Sequence, residues 1–166
     1  MPCHRDGDAS SFCEVDPDES PRSGLGHGLS LSWHTALRSG VVAGLEHLHD
    51  LANTVGATKE WRFLMLAAYR GEHPTGALVE IRGTLTLGLA VVVGLNRHRF
   101  ARLVAPVGAP TQPRERLGYL SDSFLAHRGE LFQPDPAVRI AVDWLYRGII
   151  DDGYELRSVA DRSSSH

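Results

Sequence analysis

The chain has 166 residues, 42% of them apolar, and a formal net charge of −3. That is enough to bury the core of one domain, and it excludes a wholly disordered chain. The acidic balance excludes nucleic-acid binding by overall charge, so such a role would need a local basic patch. Charge is unevenly spread: residues 1–22 carry six acids against two arginines, and residues 97–128 carry six arginines against two acids. Cys3 and Cys13 both fall in the polar N-terminal segment, where one optional bridge could not staple a core. The chain therefore reads as a reduced, cytoplasmic protein. Its longest run without Asp, Glu, Lys, Arg or His, Gly83 to Asn96, is fourteen residues with three glycines. This is shorter than the roughly 20 apolar residues of a membrane span, so no membrane partner is expected. The acidic start has no apolar stretch of the kind a signal peptide needs.

Residues 1–28 are rich in Gly, Pro, Ser, Asp and Glu and read as a disordered acidic arm. A single domain is expected over 29–160, followed by a polar tail at 161–166. Trp33, Leu37, Val41, Gly44, Leu48, Leu51 and Val55 recur every three or four residues, which predicts a long amphipathic helix ended by Gly56. A second helix is predicted over 58–70, with Thr58 as its cap and Trp61, Leu64, Met65 and Ala68 inward. The segment 77–95 is ambiguous. Val79, Ile81, Leu85, Leu87, Leu89, Val91, Val93 and Leu95 alternate as a strand would, but nineteen residues exceed one strand and require a hairpin near Gly83 or Gly88. A core helix that is apolar on every face is the rival.

Beyond the prolines at 106, 110 and 113, a helix is predicted over 114–128, with Leu117, Leu120, Phe124 and His127 on one stripe. Asp135 is positioned to cap a last helix that Pro136 opens, and Val138, Ala141, Leu145 and Ile149 continue its apolar stripe.

The run His127-Arg128-Gly129-Glu130-Leu131, followed by Pro134-Asp135-Pro136-Ala137-Val138-Arg139-Ile140-Ala141, resembles the C-terminal ligand-binding and dimerisation domain of TetR-family regulators. The resemblance implies a mostly α fold, an antiparallel helical bundle, with 77–95 helical. It implies a homodimer face of Leu117, Leu120, Phe124, Val138, Ala141, Leu145 and Ile149. It also implies an apolar pocket for a small ligand, with Trp61, Met65, Tyr69 and Trp144 as candidate lining. The family's helix-turn-helix has no counterpart in residues 1–30, so specific DNA binding is not expected. The alternative fold is α+β, with a hairpin in 77–95.

Chemistry-bearing residues are sparse. Gly24 to Gly28 lacks the preceding strand and following Lys-Ser/Thr of a phosphate loop, and reads as a linker. Glu46, His47, His49 and Asp50 are metal-ligand types, but the two histidines are two apart and point to different helix faces. Cys3, His4 and Cys13 match no finger spacing. Asp151, Asp152 and Glu155 could form an acid/base pair only with a buried partner to raise one pKa. No metal, cofactor or catalytic residue is assigned. The expected function is a non-catalytic, homodimeric effector or partner-binding domain. The alternatives are a small α+β enzyme and a nucleic-acid accessory protein using the basic region 97–116, where Arg97, His98, Arg99 and Arg102 cluster.

Overall fold

The computed structural model describes residues 28–58, 61–95, 102–110, 114–117 and 124–158. The acidic arm up to residue 27, the cluster of Arg97, His98 and Arg99, and the polar tail lie outside the described residues. In chain order the elements are β1 (Ser30–His34), β2 (Ser39–Val41), α1 (Leu45–Thr54), β3 (Phe63–Arg70), β4 (His73–Thr84), β5 (Gly88–Leu95) and β6 (Arg102–Pro106). They continue with β7 (Arg114–Leu117), β8 (Phe124–His127), α2 (Pro134–Arg147) and β9 (Tyr154–Ser158). Seven strands make one antiparallel sheet in the order β2-β1-β3-β4-β5-β6-β9, and β7 with β8 makes a separate two-stranded ribbon.

Alternation along the strands divides the core in two. Leu31, Leu64, Leu66, Val79, Ile81, Leu89, Val91 and Val93 point to one face and meet Leu48 and Leu51 of α1 and Val138, Ala141 and Leu145 of α2. This is the helix face. Ala90, Val92 and Leu103 point the other way and meet Leu117 and Ala126 of the ribbon, with Leu131 packed alongside. This is the ribbon face. No described helix is long and apolar enough to cross a membrane.

The helical bundle is therefore not the fold. Residues 77–95 lie in a hairpin, β4 and β5, that turns at Leu85–Leu87. The near-continuous apolar run of β5 arises because that strand is buried on both faces, a pattern that mimics a buried helix. The predicted helix from Trp33 to Val55 is a hairpin followed by the short α1. Leu37 is 79% exposed, so the three-to-four spacing there is coincidental. The real signal is the alternation Leu31-Ser32-Trp33-His34, whose odd members turn to the core. In 58–70, Leu64, Leu66 and Ala68 face the helices at period two, making β3 a strand. In 114–128, β7 pairs with β8 from Arg114 opposite His127 to Leu117 opposite Phe124. Their apolar residues satisfied a helical stripe on paper because a short hairpin repeats at similar intervals.

The last predicted helix is present as α2, with Pro134 and Pro136 in its first turn. Gln133, not Asp135, holds the cap position, and no side-chain hydrogen bond is made there. Asp135 instead favours the first turn by its charge. Gly148 closes the other end in the left-handed conformation at φ 65°.

A second glycine has a packing reason. Gly56 follows α1 with φ 80°, and a Cβ there would run into the carbonyl of Gly83 and lie 2.7 Å from the Thr84 Cα. The chain leaving α1 thus lies directly on the β4–β5 hairpin.

Candidate functional site

The ribbon covers only part of its sheet face. Its apolar residues cap β5 and β6, whereas β1, β3 and the Leu78–Arg82 stretch of β4 carry a different population of side chains. Cross-strand pairing sets His34 opposite Met65, and Met65 opposite Glu80. Ser32 pairs with Ala67, which pairs with Leu78, and Phe63 pairs with Arg82. Directly opposed residues share a face, so Ser32, His34, Phe63, Met65, Leu78, Glu80 and Arg82 all project on the ribbon side. Tyr69, opposite Ser30, extends the same surface.

Most of these side chains are half-buried, and the surface mixes chemistries. Arg82 donates through Nε to Glu80 Oε1, two residues back on the same strand face. Its guanidinium carbon also lies 5.5 Å from the centroid of the Phe63 ring. The pair thus carries its two charges with little net field, and the arginine gains an aromatic contact. Ser32 Oγ lies 3.3 Å from His34 Nε2. A serine beside an imidazole is the first half of an activated nucleophile. The second half, a carboxylate on Nδ1 to orient the ring, is not found among the described residues. The cross-strand neighbour of His34 is a methionine, and the nearby Glu80 is bonded to Arg82.

The predicted pocket residues do not converge. Met65 and Tyr69 project on the ribbon side, but Trp61 and Trp144 pack on the helix side. Trp61 stacks on Trp33 with ring centroids 5.7 Å apart. Trp144 donates from Nε1 to the Gly94 carbonyl at 3.3 Å. A shallow cleft of about 50 Å³ lies between α2 and the start of β9, lined by Arg139, Ile140, Asp143, Ile150, Asp151 and Tyr154. Pockets for drug-sized ligands occupy roughly 300–1,000 Å³, so this cleft is too small for one.

The predicted dimer residues are mostly interior. Leu117, Val138, Ala141 and Leu145 are buried in the chain's own core, while Ile149 is 51% exposed. Leu120 and the side chain of Phe124 lie outside the described residues.

The polar groups of α1 do structural work. His47 Nδ1 accepts the Ala43 N–H at 3.0 Å, supplying a cap that Gly44 cannot, and its ring meets Trp33 edge-on. His49 Nδ1 lies 3.1 Å from Asp135 Oδ1 and joins α1 to the start of α2. Glu46 and Asp50 are exposed. Among the described residues no group of three His, Cys, Asp or Glu is placed to hold a metal ion. Asp151 Oδ1 accepts the Gly153 N–H and closes the turn before β9. Arg102 donates to Ser158 Oγ at 2.8 Å across β6 and β9.

One buried charge went unanticipated. Glu130 sits in the 3-10 turn Arg128–Glu130 with its side chain almost wholly enclosed. Burial opposes its ionisation. The two-point grip of Arg157, through Nε and Nη2, and the His127 N–H at 2.6 Å outweigh that and hold the carboxyl below its ordinary value of 4.5. Arg157 Nη2 also donates to the Leu125 carbonyl at 3.2 Å. The His127 ring sits at the cap position of the turn, but its buried Nδ1 makes no hydrogen bond of full geometry. The cluster clamps β8, the turn and β9 together and leaves the carboxylate no open side for a reactant.

Sequence reasoning missed Ser32, His34, Glu80 and Arg82. Their signal was strand alternation, concealed by the helical reading. Glu130 and Arg157 are 27 positions apart, and no local pattern links them. No protein-family model matches the chain, and neither the curated proteins nor the solved structures contain a significant match.

Proposed function

We propose that the chain is a non-catalytic, homodimeric domain that binds a small amphipathic molecule on the ribbon side of β1, β3 and β4. One observation carries this reading. Phe63, Met65, Tyr69 and Leu78 share that surface with Ser32, His34, Glu80 and Arg82, whereas the helix side of the same strands is filled by core. Apolar area with a few fixed polar groups is the composition of a ligand surface. The reading needs no DNA and no cofactor. Its test uses 1-anilinonaphthalene-8-sulfonate as probe and methyl-labelled methionine for detection, since Met65 and Met1 are the chain's two methionines. The probe is expected to shift the Met65 methyl resonance, and Tyr69→Lys is expected to weaken binding. Probe binding with Met65 unmoved would overturn the reading.

The Ser32–His34 contact favours a second reading, a small hydrolase. A fluorophosphonate reagent discriminates the two. Labelling of the wild type that disappears in Ser32→Ala supports the enzyme, and no labelling supports the binding domain.

A further inference from the structure

We infer that the chain forms its homodimer by pairing β9 with β9 of a second copy about a twofold axis through Leu156. The inference rests on the proposed homodimer and names the surface that makes it. Strand β9 ends the sheet, registered along all five residues with β6 and, among the described residues, with no strand on its other side. Sheet edges are commonly protected by brevity, proline, bulges or inward charges. At the opposite end, β2 is only three residues long and contains Gly40. By contrast β9, Tyr-Glu-Leu-Arg-Ser, has neither proline nor glycine, and Leu156 is 41% exposed.

Geometry and charge select one register. Antiparallel strands related by a twofold axis normal to the sheet keep their faces, so opposed residues must have the same parity. The axis therefore passes through a residue, not between two. Centred on Glu155 it would set glutamate against glutamate, and centred on Arg157 it would set arginine against arginine; both are unfavourable. Centred on Leu156 it sets Glu155 of each copy opposite Arg157 of the other, Leu156 opposite Leu156, and Tyr154 opposite Ser158. Glu155 is exposed and makes no ion pair among the described residues. Arg157 keeps 29% of its side chain in solvent even while holding Glu130, so it can take a second carboxylate at the edge. Pairing then joins two seven-stranded sheets into one, with both helix layers on the same side.

The experiment is site-directed crosslinking in the full chain with Cys3 and Cys13 replaced by serine, alongside sedimentation equilibrium. Opposed α-carbons lie about 4.5–5.5 Å apart, within the span of a disulfide. Leu156→Cys is expected to give a covalent dimer on oxidation. Ser158→Cys is expected to stay uncrosslinked, because its copies would lie about 13 Å apart. Glu155→Arg places like charges opposite twice and is expected to raise the dimer dissociation constant roughly tenfold or more, with a thermal midpoint equal to that of the wild type when both are diluted to monomer. A wild type that dimerises while Leu156→Cys fails to crosslink, or while Ser158→Cys crosslinks as well, overturns this surface and leaves the homodimer standing. A wild type monomeric at all accessible concentrations overturns both.

Discussion

The Glu130–Arg157 clamp makes a prediction whose sign depends on which partner is removed. Glu130 retains only 4% of its side-chain exposure, whereas Arg157 retains 29%. Arg157→Met leaves a carboxylate in an enclosed site with the His127 N–H as its remaining donor among the described residues. Stranding a buried charge in this way costs about 3–5 kcal/mol. Glu130→Gln leaves the cation instead, and that cation can reach water and keep the Leu125 carbonyl, so about 1–3 kcal/mol is expected. Urea unfolding of both single variants and the double variant would measure the asymmetry and the coupling. Acid supplies an independent check. Because the folded-state carboxyl titrates below 4.5, the clamp's contribution is complete above that value and is lost as pH falls through the folded pKa. In Arg157→Met the carboxyl is governed by burial and titrates higher, so the variant's deficit is present at neutrality and shrinks in acid. Equal costs for the two single variants, or a deficit for Arg157→Met that is the same at neutral and acid pH, would refute the reasoning and reduce the cluster to packing.

The remaining predictions concern packing and surface contacts. Gly56→Ala forces a side chain onto a left-handed residue against the β4–β5 hairpin, and a loss of about 1–3 kcal/mol is expected by chemical denaturation. Trp61→Leu removes the stack on Trp33 while keeping an apolar group, so about 0.5–1.5 kcal/mol should be lost beyond the change in buried area. Asp135→Asn tests the link to His49. With the aspartate 79% exposed, the loss should stay below about 1 kcal/mol, and a larger one would show that the α1–α2 junction depends on that charge.

How much of this was legible in the sequence can be judged element by element. The start of α2 was readable because the prolines at 134 and 136 are local devices that fix backbone angles whatever surrounds them. The β4–β5 hairpin was half-readable. Its alternation was visible, but β5 has apolar groups on both faces, and burial on both sides erases the contrast on which periodicity depends. The errors at 30–55 and 114–128 share one cause. A step of three or four between apolar residues is compatible with a helix, but it also arises when two short strands each contribute an inward residue on either side of a turn. Leu117 and Ala126 are nine positions apart, yet they fill the same small core beneath the ribbon.

The site was less legible than the fold, for a reason of distance. Ser32 and His34 are neighbours in sequence and could have been paired by any strand reading of β1. What sets His34 beside Met65, and Met65 beside Glu80, is the register of three strands separated by a helix and a hairpin. Such register is fixed by which residues the core takes, so it is a property of the whole sheet. The same reasoning accounts for the interface. Four of the seven residues expected to meet a partner, Leu117, Val138, Ala141 and Leu145, were chosen for their apolar periodicity, and the chain's own core needs that same property. Association between copies is better sought where the core has no claim. The alternating charges of Glu155 and Arg157 flank one exposed leucine on an edge strand, and they are complementary only to themselves reversed.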